Sequence, residues 1–356
     1  MNNPYDDRHD HLPPELQAAT QEFVEWSRAQ LLVEQNESTP VEPLYHYTDM
    51  KALRGILAKQ QVWCFSHLHQ RDRTEFAYSL AIARRVIREV GQTEDFFSHH
   101  FCGCLDDLLE TNSLVDTFEF YLFSLSRHRD DIWQWSEYGR RGRGVAIAFA
   151  PALFQPDQTE LNEKASENLH VGRVIYGDRP TEERHRRAVE RAAEITSRVA
   201  NANRSVMNKA IAVRYLAAMA KEVIASQMVW NCLTAKSIGY ENEREVRYII
   251  MNAPGKFDGL RKPLDGKFYI EANVPLKTAG NIKEILIGPL ARADTEAMIA
   301  ALLKEFGYPD GIPIRRSAVP RWRLHLHQLG QFLERIGQFL KQAVVDRQKP
   351  GVLRHS

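Results

Sequence analysis

What this sequence lacks narrows its reading first. It has no uninterrupted run of about 18 apolar residues, the length a helix needs to cross a bilayer. Its opening residues, MNNPYDDRHDHLPPE, are polar and acidic, with no apolar stretch resembling a signal peptide. A cytoplasmic location without membrane contact is the expectation. Cysteine is scarce: four in 356 residues do not make a disulfide framework, and Cys64 and Cys232 read as buried small hydrophobes. Neither sign of charge dominates, since 47 Lys+Arg against 46 Asp+Glu leave a formal net charge of +1. No bulk field therefore draws the whole molecule to nucleic acid or to a membrane. There is no G-x-G-x-x-G and no P-loop, so the usual nucleotide-binding folds offer no handle. No internal repeat or low-complexity segment stands out.

What is present reads as helices and strands of unequal length. Residues 1–13 read as disordered, and 13–35 as an amphipathic helix with Leu16, Phe23, Trp26 and Leu31 at near-helical spacing. A linker follows at 36–43, then a short strand, LYHY, and a helix, MKALRGILAKQ, capped by Thr48 or Asp49. VWCFS, FEFYLFSLS, GVAIAFA and LHVGRVIYG read as strands, with helices at 74–90 and 132–139 among them. Residues 181–230 carry no strand signal and read as a helical insertion, a helix pair. Strands resume at REVRYII, KFYIEANV and IKEILIG, followed by helix TEAMIAALLKEFG, strand IPIRRSAV and an amphipathic helix at 325–344. This mixture predicts an α+β fold.

The stretch YENEREVRYII, residues 240–250, holds the strongest chemical signal. Read as one strand, Glu241, Glu243, Glu245 and Arg247 share a face, with Val246, Tyr248 and Ile250 on the other. Alternate carboxylates on a strand stand about 6–7 Å apart, and Arg247 would hold one of them ionised. A fixed carboxylate suits an oxocarbenium ion or a ribose hydroxyl; the plain alternative is a solvated charged edge. Two further features stand beside it. In YHYTD, His46 would donate to a ribose hydroxyl and Tyr47 would stack on a base, unless His46 is a satisfied core histidine. In FSLSRHRDDIWQWSEYGRRGRG, Ser124 and Ser126 share one face of a strand and Trp133 and Tyr138 lie on the next helix, where core packing is the plain alternative. GRRGRG would meet phosphates or serve simply as a turn.

HHFCGC clusters His99, His100, Cys102 and Cys104, but Cys-x-Cys is tighter than structural zinc spacing, so no metal is assigned. Arg84, Arg85 and Arg88 read as the wet face of a helix, whereas Arg140, Arg141 and Arg143 are open to a nucleic-acid role.

Taken in order, YHYT, VWCFS, R-T-E-F, FSLS, W and YG, AIAF, Y-x-x-E-x-E-x-R, KEILIGP and RRSAV resemble a widespread bacterial family of unknown function. Its members typically read YHYT, "lND-x-x-E", S-F-S with W-x-x-Y-G, then E-x-E-x-R and an "ilG" strand. The resemblance runs from about 44 to 320 and departs in HLHQRDR, which replaces Leu-Asn-Asp, and in the long insertion. That family in turn resembles a distant branch of the ADP-ribosyltransferase superfamily. The resemblance implies a split β-sheet core over residues 37–320 with the 181–230 insertion, flanked by 1–36 and 321–356. It implies NAD as substrate, with His46 and Thr48 on the adenosine-side ribose and Tyr47, Trp133 and Tyr138 as aromatic walls. Ser124 and Ser126 would brace the site, Glu245 would grip the nicotinamide ribose 2′-hydroxyl, and Glu243 would orient the acceptor, with Arg247 in support. The implied activity is cleavage of the nicotinamide–ribose bond, either with modification of a protein or nucleic acid or with water as acceptor in an NAD glycohydrolase, as in a toxin or antiphage effector. A catalytically silent module binding a nucleotide or nucleic acid is the alternative. The terminal or inserted helices would serve a homo-oligomer or a regulatory partner.

Overall fold

The computed structural model describes residues 12–67, 75–110, 119–154, 169–252 and 255–330. Its strands, in chain order, are β1 (Leu44–Thr48), β2 (Gln61–Ser66), β3 (Glu119–Ser126), β4 (Val145–Phe149), β5 (Leu169–Arg173) and β6 (Ile175–Tyr176). They continue as β7 (Ala235–Lys236), β8 (Glu245–Asn252), β9 (Lys262–Leu264), β10 (Lys267–Asn273), β11 (Ile282–Ile287) and β12 (Ile314–Arg316). The helices are α1 (Pro14–Ser38), α2 (Met50–Lys59), α3 (Glu75–Val90), α4 (Phe96–Glu110) and α5 (Ile132–Glu137). After these come α6 (Asp178–Ala202), α7 (Lys209–Val223), α8 (Val229–Leu233), α9 (Thr295–Glu305) and α10, residues 321–330. The fold is mixed α+β. Contacts group the chain into two units, one of Met1–Glu42, Gln61–Arg127 and Pro151–Pro275, the other of Pro43–Gln60, His128–Ala150 and Leu276–Ser356.

In unit one the strands run β9, β10, β2, β3, β8, β5, every neighbour antiparallel. Phe120, Leu122 and Ile249 of β3 and β8 join one hydrophobic core with Leu16 and Phe23 of α1, Phe101 of α4, Tyr215 of α7 and Trp230 of α8. The helical insertion is therefore bound into the main core. α7 starts where the Asn208 side chain accepts the Ile211 N–H at 3.0 Å, and the chain passes into α8 through one π-helical turn, Ile224–Met228. Strand LHVGRVIYG, expected as one piece, breaks at Val174, whose N–H donates to the Glu245 carbonyl at 3.0 Å. Its first part pairs with β8, and its second, β6, runs parallel to β7. The expected linker at 36–43 also begins late: α1 runs on through Ser38, and the residue before Pro40 is disfavoured in a helix. β9 escaped the sequence reading, although Asp265-Gly266, both with positive φ (48° and 75°), is the two-residue turn that hairpins favour.

In unit two the order is β12, β11, β4, β1, with β11 and β12 parallel and the other pairs antiparallel. Tyr45, Tyr47, Trp135, Ala146, Ala148, Leu286 and Leu324 form one buried cluster. Asp49 caps α2 by accepting the Ala52 N–H at 2.8 Å. The GRRGRG turn is shaped by backbone packing: a Cβ on Gly144 would stand 2.1 Å from the Thr48 carbonyl oxygen, so only glycine fits. Of the expected 325–344 helix, residues 325–330 are described and belong to α10, which starts four residues earlier, and the remainder, with Phe118 and residues 68–74, lies outside the described residues.

His185 on α6 is fully buried, with Nε2 3.0 Å from the Ser79 hydroxyl of α3. Burial, reinforced by the Arg184 charge, pushes its pKa down from 6.5 to about 3. A depressed histidine contributes stability that is complete above pH 6.5 and is lost as pH falls from there toward 3, at roughly 1.4 kcal/mol per pH unit. Urea unfolding at pH 7 and pH 5 should show His185→Gln losing about 2 kcal/mol less than wild type over that interval. Equal losses in both proteins would show that His185 takes up its proton equally in the folded and unfolded states.

Candidate functional site

The glutamate run does not enter a strand until its third member. Ile238–Glu243 form a 3₁₀ turn, closed by Arg244 in a left-handed conformation (φ 45°) with its N–H on the Glu241 carbonyl at 3.2 Å. The expected row of four like-facing side chains is therefore broken. Glu241 turns outward, its side chain 46% exposed and 3.5 Å from Arg244. Glu243, at the end of the turn, is buried, and so are Glu245 and Arg247, which share one face of β8. The solvated-edge alternative holds for Glu241 alone.

The three buried residues meet two more charges from distant elements. Arg247 Nε and one terminal nitrogen each donate to Glu245 at 3.0 Å, a bidentate pair. The same terminal nitrogen reaches Glu75, at the start of α3, at 2.5 Å, and the other donates to the Leu233 carbonyl at 2.6 Å. Lys236, on β7, stands 2.8 Å from Glu245 and 2.9 Å from Glu75, and pairs also with Glu243. Its ammonium lies 5.5 Å from the centre of the Tyr240 ring. The Glu245 N–H donates to the Tyr176 hydroxyl at 2.8 Å, and the Ser126 hydroxyl donates to the Glu243 carbonyl at 2.8 Å. Sheet register sets Ser126 opposite Glu245 and Ser124 opposite Arg247. Ser124, Ser126, Glu243, Glu245 and Arg247 thus belong to one neighbourhood in unit one.

Electrostatics decide the ionisation of Glu245. Burial alone would raise its pKa, but Arg247 and Lys236 outweigh burial and hold it well below the usual 4.5. Burial likewise works against the Lys236 charge, and Glu245, Glu75 and Glu243 overcome it and lift the ammonium well above 10.5. The centre is an ionised carboxylate with a fixed rotamer, able to accept a hydroxyl proton donor or face a developing cation. Sequence reading missed Lys236, Glu75 and Tyr176. A lone charge in the otherwise uncharged run VWNCLTAKSIG was the available signal for the first, and Glu75 sits inside the quoted R-T-E-F.

The other expected site residues lie in unit two. His46 and Thr48 are half-buried on one face of β1, opposite Ile147 and Val145 of β4. Tyr47 faces the other way and is buried: its ring meets Trp135 edge-on at 4.8 Å, and its hydroxyl donates to the His128 carbonyl at 2.9 Å. Both ring and hydroxyl are engaged in the core, which is a packing role that the stacking expectation did not assign. Trp135 is fully buried, whereas Trp133 and Tyr138 are half-buried with ring centres 5.9 Å apart.

His99 and His100 each direct Nδ1 to a backbone carbonyl, at 2.9 and 2.8 Å, and no cluster of three or more metal-ligating side chains occurs among the described residues. Arg84 and Arg88 both bond Asp106, at 2.6 and 3.0 Å, and Arg85 bonds Glu182 at 2.9 Å. Arg140 pairs with Asp49 at 3.0 Å.

A family model described as "Protein of unknown function (DUF2971)" matches residues 134–248. The matched stretch contains W-x-x-Y-G and the whole of Y-x-x-E-x-E-x-R, and stops short of YHYT and the Ser124–Ser126 strand. No curated protein and no solved structure matches the chain. No helix among the described residues is long and apolar enough to cross a membrane.

Three carboxylates share two cations here, and Lys236 touches all three, so its loss raises the uncompensated negative charge from one to two. Lys236→Met should destabilise the protein by about 3–5 kcal/mol at pH 7, the range for breaking a buried ion pair. Exposed Glu241→Gln should stay within about 0.5 kcal/mol of wild type. The wild-type contribution of Glu245 is complete above pH 4.5 and is lost as pH falls below it, so the Lys236→Met deficit should shrink in acid. Chemical denaturation from pH 7 to pH 4 measures both, and a pH-independent deficit would exclude the charge explanation.

Proposed function

We propose that the protein is an NAD-dependent ADP-ribosyltransferase: it cleaves the nicotinamide–ribose bond and transfers ADP-ribose to a macromolecule. The observation that supports this best is Glu245, ionised, rigidly oriented by Arg247 and Lys236, and set in register with Ser126 on the neighbouring strand. The bond breaks through a loose transition state with positive charge on the ribose, as in glycoside cleavage. A carboxylate that accepts the 2′-hydroxyl hydrogen bond strengthens as that charge grows, and its preorganised rotamer needs no rearrangement. Glu245 fills this role, while Ser124 and Ser126 line the same sheet face. Glu243 is the second carboxylate, for the acceptor. For His46, Thr48, Trp133 and Tyr138 a role toward NAD rests on the family resemblance. The acceptor is a protein or a nucleic acid, and the physiological setting a toxin or a defence effector.

A catalytically silent binding module is the second possibility, favoured by one observation: both carboxylate oxygens of Glu245 are already engaged by cations. Labelled NAD incubated with the protein and total cell extract separates the two. Released nicotinamide or a labelled macromolecule supports the transferase; tight binding without either supports the module. In a transferase, Glu245→Gln should keep NAD binding within a few-fold and lower turnover by about two decades or more, the scale of one lost transition-state contact. Unchanged turnover in that variant removes the assignment.

A further inference from the structure

A net charge near zero conceals an uneven distribution. The described residues of unit two, 43–60, 128–150 and 276–330, hold fifteen Lys+Arg against nine Asp+Glu. Much of the excess gathers at one end of its sheet. Thr48, Val145, Ile287 and Arg316 lie in one row across β1, β4, β11 and β12. The segments beyond that row are tied together. The Leu290 N–H donates to the Gly142 carbonyl at 2.7 Å, and the Gly288 N–H to the Gly144 carbonyl at 2.9 Å. Arg321 Nε donates to the Pro289 carbonyl at 3.1 Å, and the Gln328 side-chain amide to the Arg141 carbonyl at 3.3 Å. Turn 139–144, loop 288–294 and residues 316–323, which lead into α10, therefore form one rim.

Those three segments carry seven arginines, all exposed, and no lysine. Their one carboxylate, Asp294, bonds Arg292 at 2.6 Å, and Arg140 pairs with Asp49. Asp130 reaches the rim as well, but it accepts from neutral donors: the Ser317 hydroxyl, the Ala318 N–H and the Trp135 indole. Among the described residues, Arg141, Arg143, Arg316, Arg321 and Arg323 make no ion pair. The backbone adds a second observation. Arg140 and Arg141 are both left-handed (φ 51° and 55°), in sequence with Gly142 (φ 81°). Arginine costs stability at such positions, and strain of this kind concentrates where side chains are used for binding or chemistry.

We infer that this rim of unit two binds single-stranded nucleic acid, with its arginines on the phosphates and Trp322 on a base. The binding goes beyond the reaction proposed above and does not depend on it. A guanidinium presents a planar fork that matches phosphate oxygens two at a time, which an ammonium does not. An anionic bilayer gives no reason for that choice, because lysine serves it equally well. Trp322 stands between Arg321 and Arg323 and is 62% exposed. An open indole flanked by phosphate-binding groups offers a stacking face to an unpaired base, which a closed duplex does not present. An acidic peptide has no planar base to use that face.

Fluorescence anisotropy on the full chain tests this, with labelled single strands of DNA and RNA of about 12 nucleotides and the matching duplexes, at about 50 to 200 mM salt. Wild type should bind at least one kind of single strand with a Kd of about 1–100 μM, and about fivefold or more tighter than its duplex. Arg141→Gln combined with Arg143→Gln should weaken binding about tenfold or more. It should also flatten the slope of log K against log salt by about 1.4, since each lost single-strand phosphate contact removes about 0.7. Trp322→Ala should weaken single-strand binding about threefold or more with the slope unchanged, because stacking releases no counterions. Lys209→Gln combined with Arg214→Gln removes the same charge from exposed positions of α7 in unit one and should stay within about twofold of wild type. If circular dichroism shows the first double variant misfolded, Arg323→Gln gives the comparison on α10, where no left-handed residue is involved. Absence of binding at the lowest salt, or an equal loss in the α7 control, overturns the inference. So does equal affinity for duplex, or tighter binding to phosphatidylserine vesicles or polyglutamate than to either single strand.

Discussion

The need to neutralise a buried carboxylate governs unit one. Glu245 has almost no contact with water, and a charge so placed is tolerated only when paired and hydrogen-bonded. Its partners arrive from separate places, Lys236 from β7 and Arg247 from two residues along β8, and both also hold Glu75 at the start of α3. Hydrophobic burial is non-directional and tolerates small slips in packing. A bidentate pair does not, because its two parallel hydrogen bonds fix distance and plane together. The ends of these elements are therefore placed more narrowly by the ionic cluster than by the core beneath them.

That constraint explains the helical insertion. The π-turn and α8 deliver Leu233 and Lys236 to the cluster, and a second network secures the delivery. Gln227 donates to the Ser27 carbonyl of α1 at 2.9 Å. Arg184 bonds Glu34 at 2.6 Å and the Thr234 hydroxyl at 2.9 Å, and the Trp230 indole bonds Glu34 at 2.7 Å. Burial would raise the Glu34 pKa, yet Arg184 and Trp230 keep it below its ordinary value, so this second carboxylate is also held as an anion. The insertion, α1 and β7 thus act as one brace behind Lys236.

Much of this was legible in the sequence, and the misses have physical causes. Apolar periodicity located α1, α3, β3, β4, β8, β10 and β11 because each presents a long buried face with a regular period. It failed where two short pieces follow without a gap. LHVGRVIYG reads as one strand because nothing in composition marks Val174 as the point where pairing passes from β8 to β7. YENEREVR reads as one strand because the period-two charges continue through a 3₁₀ turn whose geometry obeys no such period. The relevance of Glu243, Glu245 and Arg247 was readable from spacing alone; their burial was not, since charged residues usually mark solvated faces. Lys236 and Glu75 were not read as site residues, because only the tertiary fold brings positions 75, 236 and 245 together.

Stability alone does not account for such a cluster. A packed set of methionine and leucine would fill the same volume without the desolvation of five charged groups, and such replacements in other proteins are often neutral or stabilising. An interior that keeps five charges where hydrocarbon would serve departs from the consistency expected of a sequence optimised only to fold, and such departures concentrate at functional sites. Specification of register is one use for the charges, but the apolar alternation of β3 and β8 already specifies register, since a one-residue slip would turn every core side chain to the wrong face. What hydrocarbon does not supply is a negative charge of fixed position and orientation. Glu245 supplies it, on the sheet face that also carries the two serines of β3, and this is the strongest physical ground for proposing chemistry there.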